Sequence, residues 1–287
     1  RFKFMKDHKH EFSVCRMSKV LGVSECGFYK HLNAEPSKRK DENSRLLLII
    51  KSIYKESRET YGYPRVYEEL ISQSVSCSLN RVAKIMKENQ IVSKMKRKFK
   101  PKHKNEANKI TTPNILNQAF KADSSNQKWV GDITYIPTKE GWLYLAIVLD
   151  LFSRKIIGMS MDRNMAKELV INAMNQAILL RGTIKGLIFH SDKGSQYTSH
   201  DFQDFLGING IRSSMSAKGS CYDNACAESF FHTLKTEQTS FVRYETREEA
   251  KQDIFDYVMT FYNRKRRHSY LGYLSPEDFE AIHGVRN

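Results

Sequence analysis

The chain has 287 residues, 40% of them hydrophobic and 28% charged, and this length and composition are typical of a globular domain with one or two smaller units attached. Its formal net charge is +15. It contains no run of about 18 apolar residues, which excludes a membrane-spanning helix, and its basic start lacks the apolar core of a secretory signal. Five cysteines without such a signal predict free thiols in a reducing cytoplasm, and the first residue, Arg1, suggests a piece of a longer product.

The positive charge is concentrated in the first part of the chain. Residues 1–104 carry 25 Lys and Arg against 11 Asp and Glu, whereas residues 105–287 carry 22 against 21. This segregation predicts a polyanion-binding module joined to a nearly neutral one. A basic protein with solvated lysines is the alternative, but it would not concentrate the charge.

Residues 12–33 have the pattern of a helix-turn-helix. Apolar residues recur at helical spacing, Gly22 can end the first helix, and Ser24 can cap the second. The second helix would then offer Lys30 and His31 to DNA. A helical hairpin used only for packing is the alternative.

A second helical unit follows the first. An amphipathic helix begins at about Ser44, Pro64 suits the first turn of the next helix, and Asn80 can cap a third. These three helices again resemble a winged or plain helix-turn-helix. Periodicity alone does not distinguish a DNA-binding unit from a helical spacer.

The next segment, residues 94–104, has seven Lys or Arg and no acid. Because like charges repel and few apolar groups are available, it cannot fold alone. On DNA its cations would displace counterions and make the affinity depend on salt. A nuclear-localisation signal is the alternative, but a bridge between two units favours contact with phosphates. The expected contacts are Lys94, Lys96, Arg97, Lys98, Lys100, Lys102 and Lys104.

From residue 128 the pattern changes to strands and crossover helices. Three antiparallel strands, a helix and a fourth strand parallel to the first predict an α/β catalytic core of the ribonuclease-H-like type, preceded by all-α units. The predicted elements are strands at 128–138, 141–150 and 154–162, a helix at 165–180, a strand at 185–192, an edge strand near 210–213 and a helix from about Asn224.

Three acids lie in these elements where their carboxylates can converge. Asp132 is in the middle of the first strand, Asp192 follows the fourth, and Glu228 lies on a helix after 35 intervening residues. Phosphoryl transfer on a nucleic acid uses two Mg²⁺ ions about 4 Å apart to activate the attacking oxygen and neutralise the leaving one. Such ions prefer oxygen ligands. We expect Asp132 to bridge the two ions, and Asp192 and Glu228 each to hold one.

Lys235 follows Glu228 by two helical turns and shares a helix face with it. It would meet the DNA backbone or end beside the metals, and a solvated lysine is the alternative. The nearest competing acid is Asp150, which we expect to pair with Arg154. The acids assigned to surface or structural roles are Asp150, Asp162, Asp223 and Glu237.

A long amphipathic helix then ends near Asn263 and is followed by a basic cluster. Arg264 and Arg267 in that cluster are available to DNA phosphates. Compensation of the helix dipole is the equally weighted alternative.

Five segments resemble a known family: GDITYI, LDLFSRKIIG, HSDKGSQYTS, SMSAKGSCYDNACAESFFHTLKTE and YNRKRRHSYLGYLSP. Over residues 10–285 the chain resembles the DDE transposases of bacterial insertion sequences, in the group that makes its full enzyme by frameshifting between two reading frames. The resemblance implies a retroviral-integrase-like core using Mg²⁺ or Mn²⁺. It implies Asp132, Asp192 and Glu228 as ligands, with Lys235 as the accompanying basic residue.

The resemblance also implies a reaction and partners. Such enzymes nick the element's end to free a 3′ hydroxyl and join it to another phosphate, without ATP or a covalent protein–DNA intermediate. The implied partners are double-stranded DNA (terminal inverted repeats and target), further copies of the chain, and the product of the upstream frame, in the bacterial cytoplasm at the nucleoid. A non-catalytic DNA-binding regulator and a nuclease of RNA hybrids are the alternatives. The complete acid triad argues against the first, and the basic arm against the second.

These interpretations divide the chain into five parts. The predicted parts are a helix-turn-helix-like arm (1–40), a second such unit (41–93), a basic linker (94–126), the catalytic core (127–240) and a carboxyl-terminal helical extension (241–287).

Overall fold

The computed structural model describes residues 1–33, 38–94, 112–117, 119–182, 186–216 and 224–284. No helix within these ranges is long and apolar enough to cross a bilayer. The helices are α1 (Phe2–Asp7), α2 (Val14–Leu21), α3 (Glu25–Leu32), α4 (Lys38–Glu56), α5 (Tyr63–Ser72), α6 (Leu79–Glu88), α7 (Lys167–Arg181), α8 (His200–Ile208), α9 (Ala225–Glu237), α10 (Arg247–Asp256) and α11 (Pro276–His283). The strands are β1 (Lys128–Thr138), β2 (Gly141–Asp150), β3 (Ile156–Asp162), β4 (Ile188–Ser191) and β5 (Arg212–Met215).

The five strands form one mixed sheet in the order β3-β2-β1-β4-β5. β1, β2 and β3 pair antiparallel, and the first hairpin turns between Thr138 and Gly141. After α7 the chain returns to place β4 parallel to β1, and β5 pairs parallel to β4. The predicted ribonuclease-H-like arrangement is confirmed, with the edge strand two residues later than expected.

Different helices cover the two faces of this sheet. Because side chains alternate along a strand, Trp129 of β1 packs into one apolar cluster and Val130 into the other. The Trp129 cluster contains residues of α7 and α8, and the Val130 cluster contains residues of α9 and α10. The catalytic core is therefore a sheet between two helical layers.

Helices α4 to α6 pack into the layer formed by α9 and α10. Ile50 and Leu70 belong to the same apolar cluster as Phe230 of α9. Polar contacts reinforce this junction, since the Tyr61 hydroxyl donates to the carbonyl oxygen of Lys265 at 3.0 Å. The second helical unit thus shares its core with the catalytic half.

Helices α1 to α3 have a small core of their own, formed by Met5, Met17 and Phe28. The predicted pair of helices is confirmed, since Gly22 ends α2 with φ of 62° and the Ser24 hydroxyl accepts from the Gly27 amide at 3.0 Å. Helix α1 was not expected.

Other features differ from the prediction. The cap of α6 is Ser78, not Asn80, because the helix begins one residue before Asn80 and the Ser78 hydroxyl accepts from the Arg81 amide. The long helix after the catalytic part changes to a π-helical turn at Tyr257–Tyr262. Helices α8 and α11 had no counterpart in the prediction.

Candidate active site

Asp132 lies where β1 loses its neighbour on one side. β4 pairs with β1 only at Lys128, Trp129 and Val130. The half-buried Asp132 follows two residues later, and its Oδ1 accepts from the Ile133 amide at 2.8 Å. One side of β1 is thus accessible at Asp132.

Asp192 is the first residue after β4 and is exposed. Since β1 and β4 run parallel, the end of β4 lies beside the part of β1 that holds Asp132. The Oδ1 of Asp192 accepts from the Gly194 amide at 2.9 Å, which fixes the carboxylate in a tight turn. A Cβ on Gly194 would lie 3.0 Å from that same oxygen.

Glu228 is exposed in the first turn of α9. The start of this helix is held to β1, because the Asn224 side-chain amide donates to the carbonyl oxygen of Gly131 at 3.3 Å. Gly131 precedes Asp132, so a single hydrogen bond places the first turn of α9 beside the strand that carries the first acid.

The charges of these residues act on one another. Burial raises the pKa of Asp132 well above its ordinary value, and the carboxylates of Asp192 and Glu228 raise it further, against the lowering effects of the Ile133 amide and Lys235. The structure therefore brings the three predicted acids into one electrostatic cluster. In this environment the ionised form of Asp132 is disfavoured.

The chemistry of the donors fits a hard divalent cation, which prefers carboxylate oxygen and stabilises the ionised acids. Within the described ranges, however, no three His, Cys, Asp or Glu side chains are placed to hold one ion together. The acids therefore form a cluster of negative charge rather than a closed set of ligands. Residues 217–223, which lead into α9, lie outside the described ranges.

Lys235 is half-buried on α9, and burial lowers its pKa, against the opposing effect of Asp132. Its Nζ lies 5.0 Å from the centre of the Tyr135 ring. That ring packs edge-on against Trp142 at 5.0 Å, and both aromatic side chains are about half exposed. The ammonium group is therefore oriented by the protein, in contrast to a freely solvated lysine.

Two acids assigned to surface or structural roles are fully buried. Asp150 accepts from the amides of Asn126 and Phe152 at 2.9 and 3.0 Å and lies 3.8 Å from the Arg181 guanidinium. The expected pair with the Arg154 side chain was wrong, because the left-handed turn at Arg154 directs that side chain elsewhere. Glu237 forms an ion pair with Arg266 at 2.7 Å.

The predicted DNA-contacting residues of the amino-terminal part lie in different settings. Lys30 and His31 are exposed on α3, and the His31 ring stacks on Phe2 at 5.3 Å. Lys94 is half-buried, with its Nζ 5.4 Å from the Phe241 ring. The remaining basic-run residues, Lys96, Arg97, Lys98, Lys100, Lys102 and Lys104, lie outside the described ranges.

The two arginines of the carboxyl-terminal cluster differ. Arg264 is exposed, and its Nε lies 3.4 Å from Glu277. Arg267 is largely buried and is bound by Glu69, the Ser72 hydroxyl and the carbonyl oxygen of Tyr273. The prediction that Arg267 contacts DNA conflicts with this conformation, because its donors are already used to fasten α5 to the catalytic half.

Sequence reasoning missed three residues that build the site. Tyr197 is buried, and its pKa is raised well above its ordinary value by burial and then by Asp132 and Asp192. Gly131 leaves room for β4, since a Cβ there would lie 2.4 Å from the Phe189 ring. Asn224 tethers α9. The sequence offered one signal for these residues, because Gly131 directly precedes Asp132.

Family models match three parts of the chain. A model described as an integrase core domain matches residues 122–221, and a second integrase core model matches residues 228–282. A model of a helix-turn-helix-like domain matches residues 40–99, which contain most of α4 and all of α5 and α6.

Curated relatives match nearly the whole chain. An uncharacterised 31 kDa protein of insertion element IS600 from Shigella sonnei is 43% identical over 263 residues, covering 92% of this chain and 97% of the relative. Transposase InsF for insertion sequence IS3A from Escherichia coli (strain K12) is 40% identical over 282 residues, or 98% of each chain. A solved simian T-cell lymphotropic virus intasome chain is 15% identical with a TM-score of 0.48, covering 83% of this chain and 75% of that one.

Proposed function

This chain belongs to the insertion-sequence transposases that carry an integrase core domain, and we propose that it binds the ends of its element, frees a 3′ hydroxyl there and joins it to DNA by two-metal phosphoryl transfer. The observation that carries this proposal is the cluster of Asp132, Asp192 and Glu228: burial raises the pKa of Asp132, and the two other carboxylates raise it further, against the smaller opposing effect of Lys235. Carboxylates that repel one another in this way are costly for a fold, which favours a site that a cation occupies.

The three acids would divide the work between them. Two Mg²⁺ (or Mn²⁺) ions would supply activation of the attacking oxygen and charge neutralisation on the leaving one. Asp132, Asp192 and Glu228 would hold these ions through their carboxylate oxygens. Lys235, oriented by Tyr135, would hold a DNA phosphate near the acids.

The proposed DNA-binding surface extends beyond the catalytic core. Lys30 and His31 are exposed on the second helix of the amino-terminal pair, which suits contact with a DNA groove. Arg264 and the basic run from Lys94 to Lys104 would contact phosphates and make affinity depend on salt. We further propose that copies of the chain assemble on DNA at the bacterial nucleoid, with the upstream-frame product as a partner.

The test compares Glu228→Gln with wild type on duplex oligonucleotides that carry the terminal inverted repeats of the element. With Mg²⁺ present, strand joining should fall by roughly a hundred-fold or more, because a metal ligand supports several kcal/mol of transition-state stabilisation. End binding should be retained, since Glu228 is not proposed to contact DNA. Gel assays of joined product and of bound DNA measure the two effects.

Glu168→Gln is the matched control, because Glu168 is also an exposed glutamate in the first turn of a helix. It should join DNA as well as wild type. Equal joining by Glu228→Gln and wild type would contradict the catalytic assignment. A wild-type chain that binds the ends but joins nothing would instead indicate a regulator.

A further inference from the structure

A cavity of about 320 Å³ lies on the far side of α9 from Lys235. It is formed where α5, the end of β2, the first half of α9 and the segment after Tyr262 meet. We call it the arginine cavity, because three arginines line it together with a histidine. These residues are Arg65, Arg154, Arg266 and His268.

The positive charge around this cavity exceeds the negative charge. Arg266 donates to both oxygens of Glu237 at 2.7 and 2.8 Å, and Arg65 lies 3.4 Å from the same carboxylate. One carboxylate therefore serves two guanidinium groups. Arg154 forms no ion pair within the described ranges; it contacts the Cys226 sulfur and lies 4.3 Å from the Tyr270 ring centre. Among the residues that the structure describes, the three guanidinium groups around the cavity thus have one carboxylate, that of Glu237, to balance their charge.

His268 lies beside these arginines. Its pKa is lowered well below the ordinary value by burial, and then by Arg266, Arg65 and Arg154. The neutral ring accepts a hydrogen bond from Arg266 through Nε2 at 3.3 Å. The cavity therefore disfavours a further cation and attracts an anion.

The remaining lining supplies uncharged donors. Ser229 and Thr233 are one helical turn apart on α9 and line the cavity. Glu228 and Lys235 lie on other parts of the same helix surface. The start of α9 contributes Ala225, and a helix amino terminus favours negative charge. Hydroxyl groups, guanidinium forks and a helix start together match the oxygen atoms of a phosphate.

We propose that the arginine cavity binds a backbone phosphate of the DNA strand that the catalytic acids act on. This inference rests on the proposed function, because it assumes that DNA passes along α9. The volume exceeds that of one phosphate group and leaves room for its sugar. A phosphate held there connects α5 of the helix-turn-helix-like domain to the helix that carries Glu228. A free phosphate ion has the same oxygen atoms and charge, so it is the alternative occupant of the cavity.

The experiment combines Arg154→Gln with terminal-repeat duplexes that carry one neutral methylphosphonate at successive positions. Binding is measured without divalent metal, so the result does not depend on cleavage. In wild type, a methylphosphonate at one position should weaken DNA binding roughly ten-fold or more, because a hydrogen bond to a charged group contributes about that much. For Arg154→Gln the unmodified duplex should bind that much more weakly, and methylphosphonate at that position should have no further effect.

Arg163→Gln is the control, because Arg163 is exposed and does not line the cavity. This substitution removes the same charge, but a methylphosphonate should weaken the DNA binding of Arg163→Gln as much as it weakens that of wild type. If thermal unfolding shows that Arg154→Gln is not folded, Arg65→Gln takes its place, since Arg266 alone still neutralises Glu237.

Additive effects of the methylphosphonate and the arginine substitution at every position would overturn the proposal. If inorganic phosphate then raises the Tm of wild type but not of Arg154→Gln, the cavity holds a free ion instead. A wild-type chain that shows the coupling but joins no DNA would contradict the proposed catalytic function and still support the cavity.

Discussion

Buried acids in this chain fall into two kinds. Glu237 is fully buried, yet its pKa is lowered, because Arg266, Arg65 and the Tyr257 hydroxyl outweigh the effect of burial. The pKa of Asp132 is raised, because burial and two neighbouring carboxylates outweigh the lowering effect of Lys235. The first kind holds the fold together, and the second needs a ligand. The two kinds differ in the charged groups that lie beside each carboxylate, and those neighbours are known only from the folded chain.

Asp150 is an intermediate case with a consequence for stability. Burial raises its pKa from 3.8 to about 6, although two amides and Arg181 oppose the shift. Since the folded state binds this proton more tightly than the unfolded state, the contribution of Asp150 to stability is complete below pH 3.8 and is lost as pH rises through about 6. The free energy of unfolding of wild type relative to Asp150→Asn should therefore fall by about 2 to 3 kcal/mol between pH 4 and pH 7.

Chemical denaturation of both chains at the two pH values measures this difference. Asp162→Asn is the control for removal of one carboxyl group, because Asp162 is exposed at the end of β3. A constant difference for Asp150→Asn would mean that Arg181 keeps Asp150 ionised throughout.

At the scale of elements, the contact between β3 and α7 depends on one glycine. A Cβ on Gly158 would lie 2.1 Å from the carbonyl oxygen of Ala173 and 3.0 Å from the Ala177 side chain. The helix backbone cannot yield without losing its own hydrogen bonds. Gly158→Ala should therefore lower the free energy of unfolding by roughly 3 kcal/mol, at the upper end of overpacking effects, as measured by urea denaturation.

Gly207→Ala provides a control of opposite sign. Gly207 lies in α8, where nothing is within 4 Å of an added Cβ. Removing a helical glycine should stabilise the chain by roughly 0.5 to 1 kcal/mol. Equal effects of the two substitutions would show that β3 and α7 are not in close contact.

The elements themselves could be predicted where the signal is local. The strands β1 to β3 and the helix α7 follow from runs of apolar residues. Asp132 was singled out by its position inside the first strand, Asp192 by its position directly after β4, and Glu228 by its position on α9. The arginine cavity could not be predicted, because Arg65, Arg154 and Arg266 come from three distant parts of the chain. The ion pair of Arg267 could not be predicted for the same reason, since its partner Glu69 lies 198 residues away.

At the scale of the whole molecule, the two amino-terminal helical units differ in how they attach. Helices α4 to α6 contribute to the catalytic half's apolar cluster, whereas α1 to α3 enclose a cluster of their own. A chain that begins at Lys38 should unfold at the same temperature as the full chain. A chain that begins at Pro113 should aggregate, because it exposes Phe230 and its neighbours.

Thermal unfolding and size-exclusion chromatography of the two shortened chains measure these outcomes. A large loss of Tm on removing residues 1–37 would mean that α1 to α3 also stabilise the catalytic half. A folded, monomeric chain from Pro113 would mean that α9 and α10 bury their apolar face without α4 to α6.

The separate core of α1 to α3 has a consequence for how such elements diversify. Met5, Met17 and Phe28 pack only with one another and their close neighbours among the described residues. Mutations on the surface of α3 can therefore accumulate, or the whole arm can be exchanged by recombination, without disturbing the catalytic half. Under the proposed contact of α3 with DNA, a lineage could change the DNA that its arm binds and inherit the rest of the chain unchanged.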